Sequence, residues 1–114
     1  MRKYTLFDGL NDKDSKVQQV KTADAVESVN KAVAFQIGCG TVSVVNGIYT
    51  HQMDGMNMMV EETTIKVELS EQLIDGLYGS EFLEKVQALA LTFRKAFNQE
   101  CVLIETAEVK SMVL

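Results

Sequence analysis

Between Ser80 and Ile104 a single apolar stripe at helical spacing runs almost directly into a β-prone segment. Phe82, Val86, Leu89, Ala90, Phe93 and Phe97 line one face of a helix with ~3.6 residues per turn. Ser80 is placed to cap that helix. Glu81 and Glu84 lie at the end whose dipole favours anions, Arg94 and Lys95 at the end that favours cations. Asn98-Gln99-Glu100 ends the helix, and Cys101-Val102-Leu103-Ile104 reads as a strand. A stripe this rich in large side chains needs a broad apolar surface over it, and the rest of the chain has to supply a sheet.

Lys3 to Leu10 alternates, with Tyr4 and Leu6 on one face and Thr5 and Phe7 on the other, as in a first strand. Asp8-Gly9 bends or ends it, and 11–16 is a polar loop of turn formers. Thr22 is placed as the N-cap of a helix that presents Val26, Val29, Val33 and Ile37. Gly38-Cys39-Gly40 stops it. Thr41 to Tyr49 predicts a second strand, with a turn or a bulge at Asn46-Gly47. The tip of a hairpin follows over 50–57, with Asp54-Gly55 as its turn, and a third strand over 58–69. In that strand Ile65, Val67 and Leu69 share a dry face, and Glu62, Thr64, Lys66 and Glu68 a wet one. Residues 70–79 fit a short helix or an ordered loop, and 109–114 an extension or an edge strand. The order β-α-β-β-α-β predicts an α+β ferredoxin-like plait: one domain over 1–114, a four-stranded antiparallel sheet, and two helices on one face. The other face is left uncovered.

The chain has 114 residues and is 46% hydrophobic, enough for one core. No apolar run approaches the ~20 residues of a membrane span, and 1–5 lacks the apolar core of a leader. Cys39 and Cys101 match neither metal-site nor redox spacing, so the expectation is a cytoplasmic protein with free thiols. A net charge of −5 argues against direct nucleic-acid binding. An acidic protein can instead occupy the basic groove of a nucleic-acid-binding protein.

Several side-chain groups carry potential chemistry. His51, Met53, Met56, Met58 and Met59 cluster at the hairpin, where thioethers suit copper(I), an adaptable partner surface, or plain packing; no metal is expected. Asn11, Asp12, Asp14 and Ser15 resemble the opening of a calcium loop without its later glycine and glutamate, and read as a solvated turn. Cys39 or Cys101 with the lone His51 is a nucleophile-base pair only if the fold brings them together. Glu61, Glu62 and Glu68 beside Lys66 read as a charged surface. Phosphate-loop, zinc-protease and serine-elbow motifs are absent.

Tyr4-Thr5-Leu6-Phe7-Asp8-Gly9-Leu10-Asn11-Asp12-Lys13-Asp14, Gly47-Ile48-Tyr49-Thr50-His51, Glu61-Glu62-Thr63-Thr64 and Phe97-Asn98-Gln99-Glu100-Cys101-Val102-Leu103 together resemble a family of small uncharacterised bacterial and phage proteins. That family shares a YTLxxGL start, a hairpin with Asp-Gly at its tip and an FxQE-x-VL end. This chain departs from it at Asp8, where an apolar residue is expected, and in its methionine-rich hairpin. The resemblance covers most of the chain and brings no catalytic residue. It implies a mobile-element setting in which small acidic proteins act as inhibitors or sequestering agents.

The expected function is therefore a non-enzymatic, acidic interaction protein of a phage or mobile element, without cofactor. It would inhibit a nucleic-acid-binding bacterial defence protein, in the manner of an anti-CRISPR. The expected contact surface is His51, Met53, Asp54, Met56, Met58, Met59, Glu62 and Glu68. The alternative is a homodimer or higher oligomer, joined through the open sheet face, that holds a small ligand such as a nucleotide between copies. Lys3, Lys66 and Lys110 are then the basic candidates.

Overall fold

Tyr4, Leu6 and Asp8 alternate onto one side of the first strand and are fully buried. Lys3, Thr5 and Phe7, on the other side, stay half-buried. This contrast orients the whole molecule. The computed structural model describes residues 2–71, 80–110, 112 and 114, and all side chains within them except that of Met53. The elements are β1 (Arg2–Gly9), α1 (Thr22–Gln36), β2 (Thr41–Met53), β3 (Met56–Ser70), α2 (Ser80–Ala96) and β4 (Leu103–Glu108). The strands form one antiparallel sheet in the order β2-β3-β1-β4. This is the expected α+β ferredoxin-like plait.

Both helices lie over the face that carries Tyr4, Leu6, Ile65, Val67 and Leu69. Helix α1 buries Ala25, Val29 and Val33, and α2 buries Phe82, Val86, Leu89, Ala90 and Phe93. The Tyr4 and Phe82 rings pack with centroids 5.4 Å apart, tilted by 53°. Each large side chain removed from water here contributes about 1.5–3 kcal/mol.

Local chemistry corrects several boundaries. Lys21 is the N-cap of α1, while Thr22 begins the helix and its hydroxyl accepts a hydrogen bond from the Gln18 amide at 3.0 Å. The helix ends at Gln36, with Ile37 as its C-cap, and Gly38, at φ 117°, donates its N–H to the Val33 carbonyl. The β2–β3 pairing runs without interruption from Thr41↔Glu68 to Met53↔Met56, so Asn46-Gly47 is neither turn nor bulge. The hairpin tip shrinks to Asp54-Gly55, both at positive φ (51° and 76°), the tight turn whose twist matches its strands. Strand β4 starts later than expected and ends at Glu108, so the described residues after it, Lys110 among them, are not strand. The short helix or loop expected at 70–79 lies mostly outside the described residues; Ser70 closes β3 and Glu71 is buried.

The segment after β1 is tied to the end of α2. The Asn98 amide donates to Asp12 at 2.8 Å and to Asp14 at 2.9 Å, and the Gln99 amide donates to the Asn11 carbonyl. Asp12 also accepts from the backbone of Asp14 and Ser15. These bonds, that from the Ser15 backbone first, hold its carboxyl down at about 2. The acidic loop is thus a solvent-exposed turn, as expected, whose carboxylates are also tied by hydrogen bonds to the end of α2.

Strand β1 pairs with β3 only as far as Gly9↔Thr64. Beyond that point β2 and β3 continue as a two-stranded arm, which accounts for the long axis of a molecule measuring 52 × 26 × 25 Å.

Candidate functional site on the uncovered sheet face

The ladder registers fix what stands side by side on the face away from the helices. Thr41, Glu68, Thr5 and Glu105 form one row across the sheet. Ser43, Lys66, Phe7 and Leu103 form the next. Then come Val45, Thr64 and Gly9, and after them Gly47 beside Glu62, at the root of the arm. Tyr49 and Val60 follow, then His51 and Met58. The result is a charged stripe along β3, flanked by small residues and two rings.

The two half-buried carboxylates of that stripe sit in different company. Glu68 is 2.7 Å from Lys3 Nζ and 3.8 Å from Lys66 Nζ. The hydrogen bond from Lys3 is the main cause that holds its carboxyl below the usual range. Lys66 Nζ also lies 5.9 Å from the centre of the Phe7 ring, within cation–π range. Glu62 accepts the Asn11 backbone N–H at 2.8 Å, and its carboxylate fills the space where a side chain at Gly9 would stand. Among the described residues no lysine or arginine pairs with it. Gly47 stands opposite because a Cβ there would meet Thr64 Oγ1 at 2.6 Å. Tyr49, 39% exposed, is a diagonal neighbour of Glu62 on the same face. The root of the arm therefore offers a fixed carboxylate without a cation, next to an available ring. At the far end of the stripe a recess of about 220 Å³ is bordered by Lys3, Cys39, Thr41, Glu68 and Ser70.

The residues singled out in the sequence divide. His51, Met58 and Glu62 share the uncovered face of the arm, and Met56 pairs in register with Met53 at its tip. Met59 pairs with Thr50 on the opposite face. Asp54 is in the turn, and Glu68 lies six residues from Glu62, roughly 20 Å along an extended strand. Cys39 precedes β2, while His51 lies ten residues past Thr41, roughly 33 Å up the strand, so no Cys39–His51 pair forms. Cys101 is exposed. Phe7 and Tyr49 were missed. Their signal was parity: a ring on the strand face opposite the core.

Set beside proteins of known structure, the chain is similar to a phage SAM lyase in complex with S-methyl-5′-thioadenosine, with 28% identity and a TM-score of 0.70 over 94% of this chain and 80% of that one. The same lyase in its apo state aligns at 27% identity and a TM-score of 0.68, covering 93% and 78% of the two chains. The divalent ion tolerance protein CutA1 from Ehrlichia chaffeensis shares the fold at 10% identity and a TM-score of 0.51, over 97% of this chain and 84% of that one. No family model and no curated protein matches the chain.

The first of these likenesses corrects the expectation of a non-enzymatic protein, because the structure resembled along nearly the whole chain is that of an enzyme. A site spread over alternate residues of a sheet face carries no nucleophile or acid-base motif.

Proposed function

We propose that the chain binds S-adenosylmethionine on the uncovered sheet face and cleaves it, releasing S-methyl-5′-thioadenosine. The observation that carries the reading is the likeness to phage SAM lyase over 94% of the chain. Releasing that product breaks the bond between the sulfonium sulfur and Cγ of the methionine chain. Both electrons of the bond go to sulfur, which becomes neutral. An oxygen of the substrate's own carboxylate forms the new bond to Cγ and closes homoserine lactone. Neither water nor a protein base takes part, which suits a face of carboxylates, lysines and rings.

Two charges cancel in this step, so excluding water and fixing the reactive conformation accelerate it. Glu62 is the residue to receive the substrate ammonium, a contact unchanged by the reaction that orients the chain. A carboxylate against the sulfonium would instead stabilise the ground state. Tyr49 and Phe7 offer rings to the adenine and the sulfonium. Lys3 and Lys66 already hold Glu68, which leaves Glu62 the better cation receptor.

A flat face in water cannot exclude solvent, and the arm exposes Met56 and Met58 on that face and Ile48 and Met59 on the other. The reading therefore includes a second copy that covers the arm and walls the site. An anti-defence effect would act through the small molecule, by withdrawing the methyl donor in the cytoplasm. Direct blocking of a basic defence protein is the second reading, favoured by the net charge of −5 and the exposed methionines.

The test is chromatography of S-adenosylmethionine incubated with the full chain. Methylthioadenosine and homoserine lactone should appear in equal amounts at early times. Glu62→Gln should lower the rate at least about tenfold while the chain stays folded by circular dichroism. No methylthioadenosine above the blank would end the lyase reading.

A further inference from the structure

Asp8 stands where the fold calls for an apolar residue. It follows Tyr4 and Leu6 on the core face of β1, opposite Ile65, and is fully buried, with no hydrogen-bond partner among the described residues for either carboxyl oxygen. Among the described residues no positively charged group acts on it. The buried residues of α1, from Ala25 to Val33, and of α2, from Phe82 to Phe93, are apolar. Strand β4 stops pairing at Phe7↔Leu103. The charged group that acts on Asp8 is Glu62 of β3, also acidic.

After Gly9, the last residue of β1, the chain leaves the sheet, and two bonds hold that exit to β3. The Leu10 N–H is donated to the Thr63 carbonyl at 3.0 Å, and the Asn11 N–H to Glu62 at 2.8 Å. A negative Asp8 beneath them is a buried charge beside a second negative charge, with no donor to offset it. It gains solvation only by parting this exit from β3.

We propose that Asp8 and Glu62 form a proton-operated latch at the root of the arm. With a proton on Asp8, 9–11 stay closed on β3; with the proton lost, the segment opens and Glu62 is released from Asn11. Burial first, and the Glu62 charge second, push the Asp8 carboxyl up from 3.8 to about 7, which puts the changeover near neutrality. The latch stands on this geometry whether or not the chain cleaves S-adenosylmethionine.

The test is amide hydrogen exchange of the full chain between about pH 5.5 and 8.5, corrected for base catalysis. Protection of Leu10 and Asn11 should fall about tenfold or more across that range, independent of low denaturant, the mark of a local opening. In Asp8→Asn it should stay flat. Flat protection in the wild type, an equal fall in Asp8→Asn, or a denaturant slope equal to that of global unfolding would each overturn the latch. Should Asp8→Asn not fold, Glu62→Gln decides. Removing the neighbouring charge moves the wild-type midpoint to lower pH, and an unmoved midpoint overturns the proposal.

Discussion

Three carboxylates near the sheet titrate in different directions because their surroundings differ. Asp12, bound by backbone N–H groups and Asn98, and Glu68, bound first by Lys3, are held low. What they add to stability is present above their ordinary titration range and is lost as pH falls. Asp8 behaves oppositely. Its folded value of about 7 lies above the ordinary 3.8, so stability is full below about pH 4 and declines as pH rises through 7. The shift sets a ceiling of about 4 kcal/mol on that decline. Asp8→Asn should therefore unfold at higher denaturant than the wild type at pH 8, by about 1–3 kcal/mol, with the difference gone near pH 4. A constant difference at both pH values would show that shape, not charge, is responsible.

Among the elements, α2 does most to organise the core. Phe82 is fully buried against Tyr4. Phe82→Ala should cost about 3–5 kcal/mol in chemical denaturation, and a loss under about 1 kcal/mol would mean that the stripe is not the core's centre. This element was legible in the sequence because a stripe of large residues at one period has few other uses. The strand faces were legible for the same reason, in Tyr4 and Leu6 against Thr5 and Phe7. The length of the arm was not. Asn46-Gly47 carries the signature of a turn, yet the glycine is there for its small size, beside Thr64 Oγ1. The site was legible only in part. Glu62 and Glu68 stood out as charges on a wet face, but their different partners depend on register, which links Lys3 to Glu68 and Asn11 to Glu62. Asp8 departs from the motif of the resembled family; its lack of a partner among the described residues is visible only once the helices are in place.

For the molecule as a whole, the plait commits one face of the sheet to its own helices and leaves the other exposed. The arm extends β2 and β3 beyond β1, with Ile48, Met56, Met58 and Met59 in water. A two-stranded ribbon is marginal in water on its own, so apolar residues along it call for a covering surface. Native mass spectrometry should find a closed oligomer, and Met58→Asp should shift it towards monomer with the helical content unchanged. A wild-type monomer at micromolar concentration would remove the covered site. The function proposed above places binding on the uncovered face. Titration of S-methyl-5′-thioadenosine into the isotopically labelled full chain, followed by amide NMR, tests it most directly. Saturable shifts are expected at Gly9, Gly47, Tyr49 and Glu62, spreading to Phe7 and Lys66. Shifts confined to the outer surfaces of α1 and α2, or none at millimolar ligand, would contradict it.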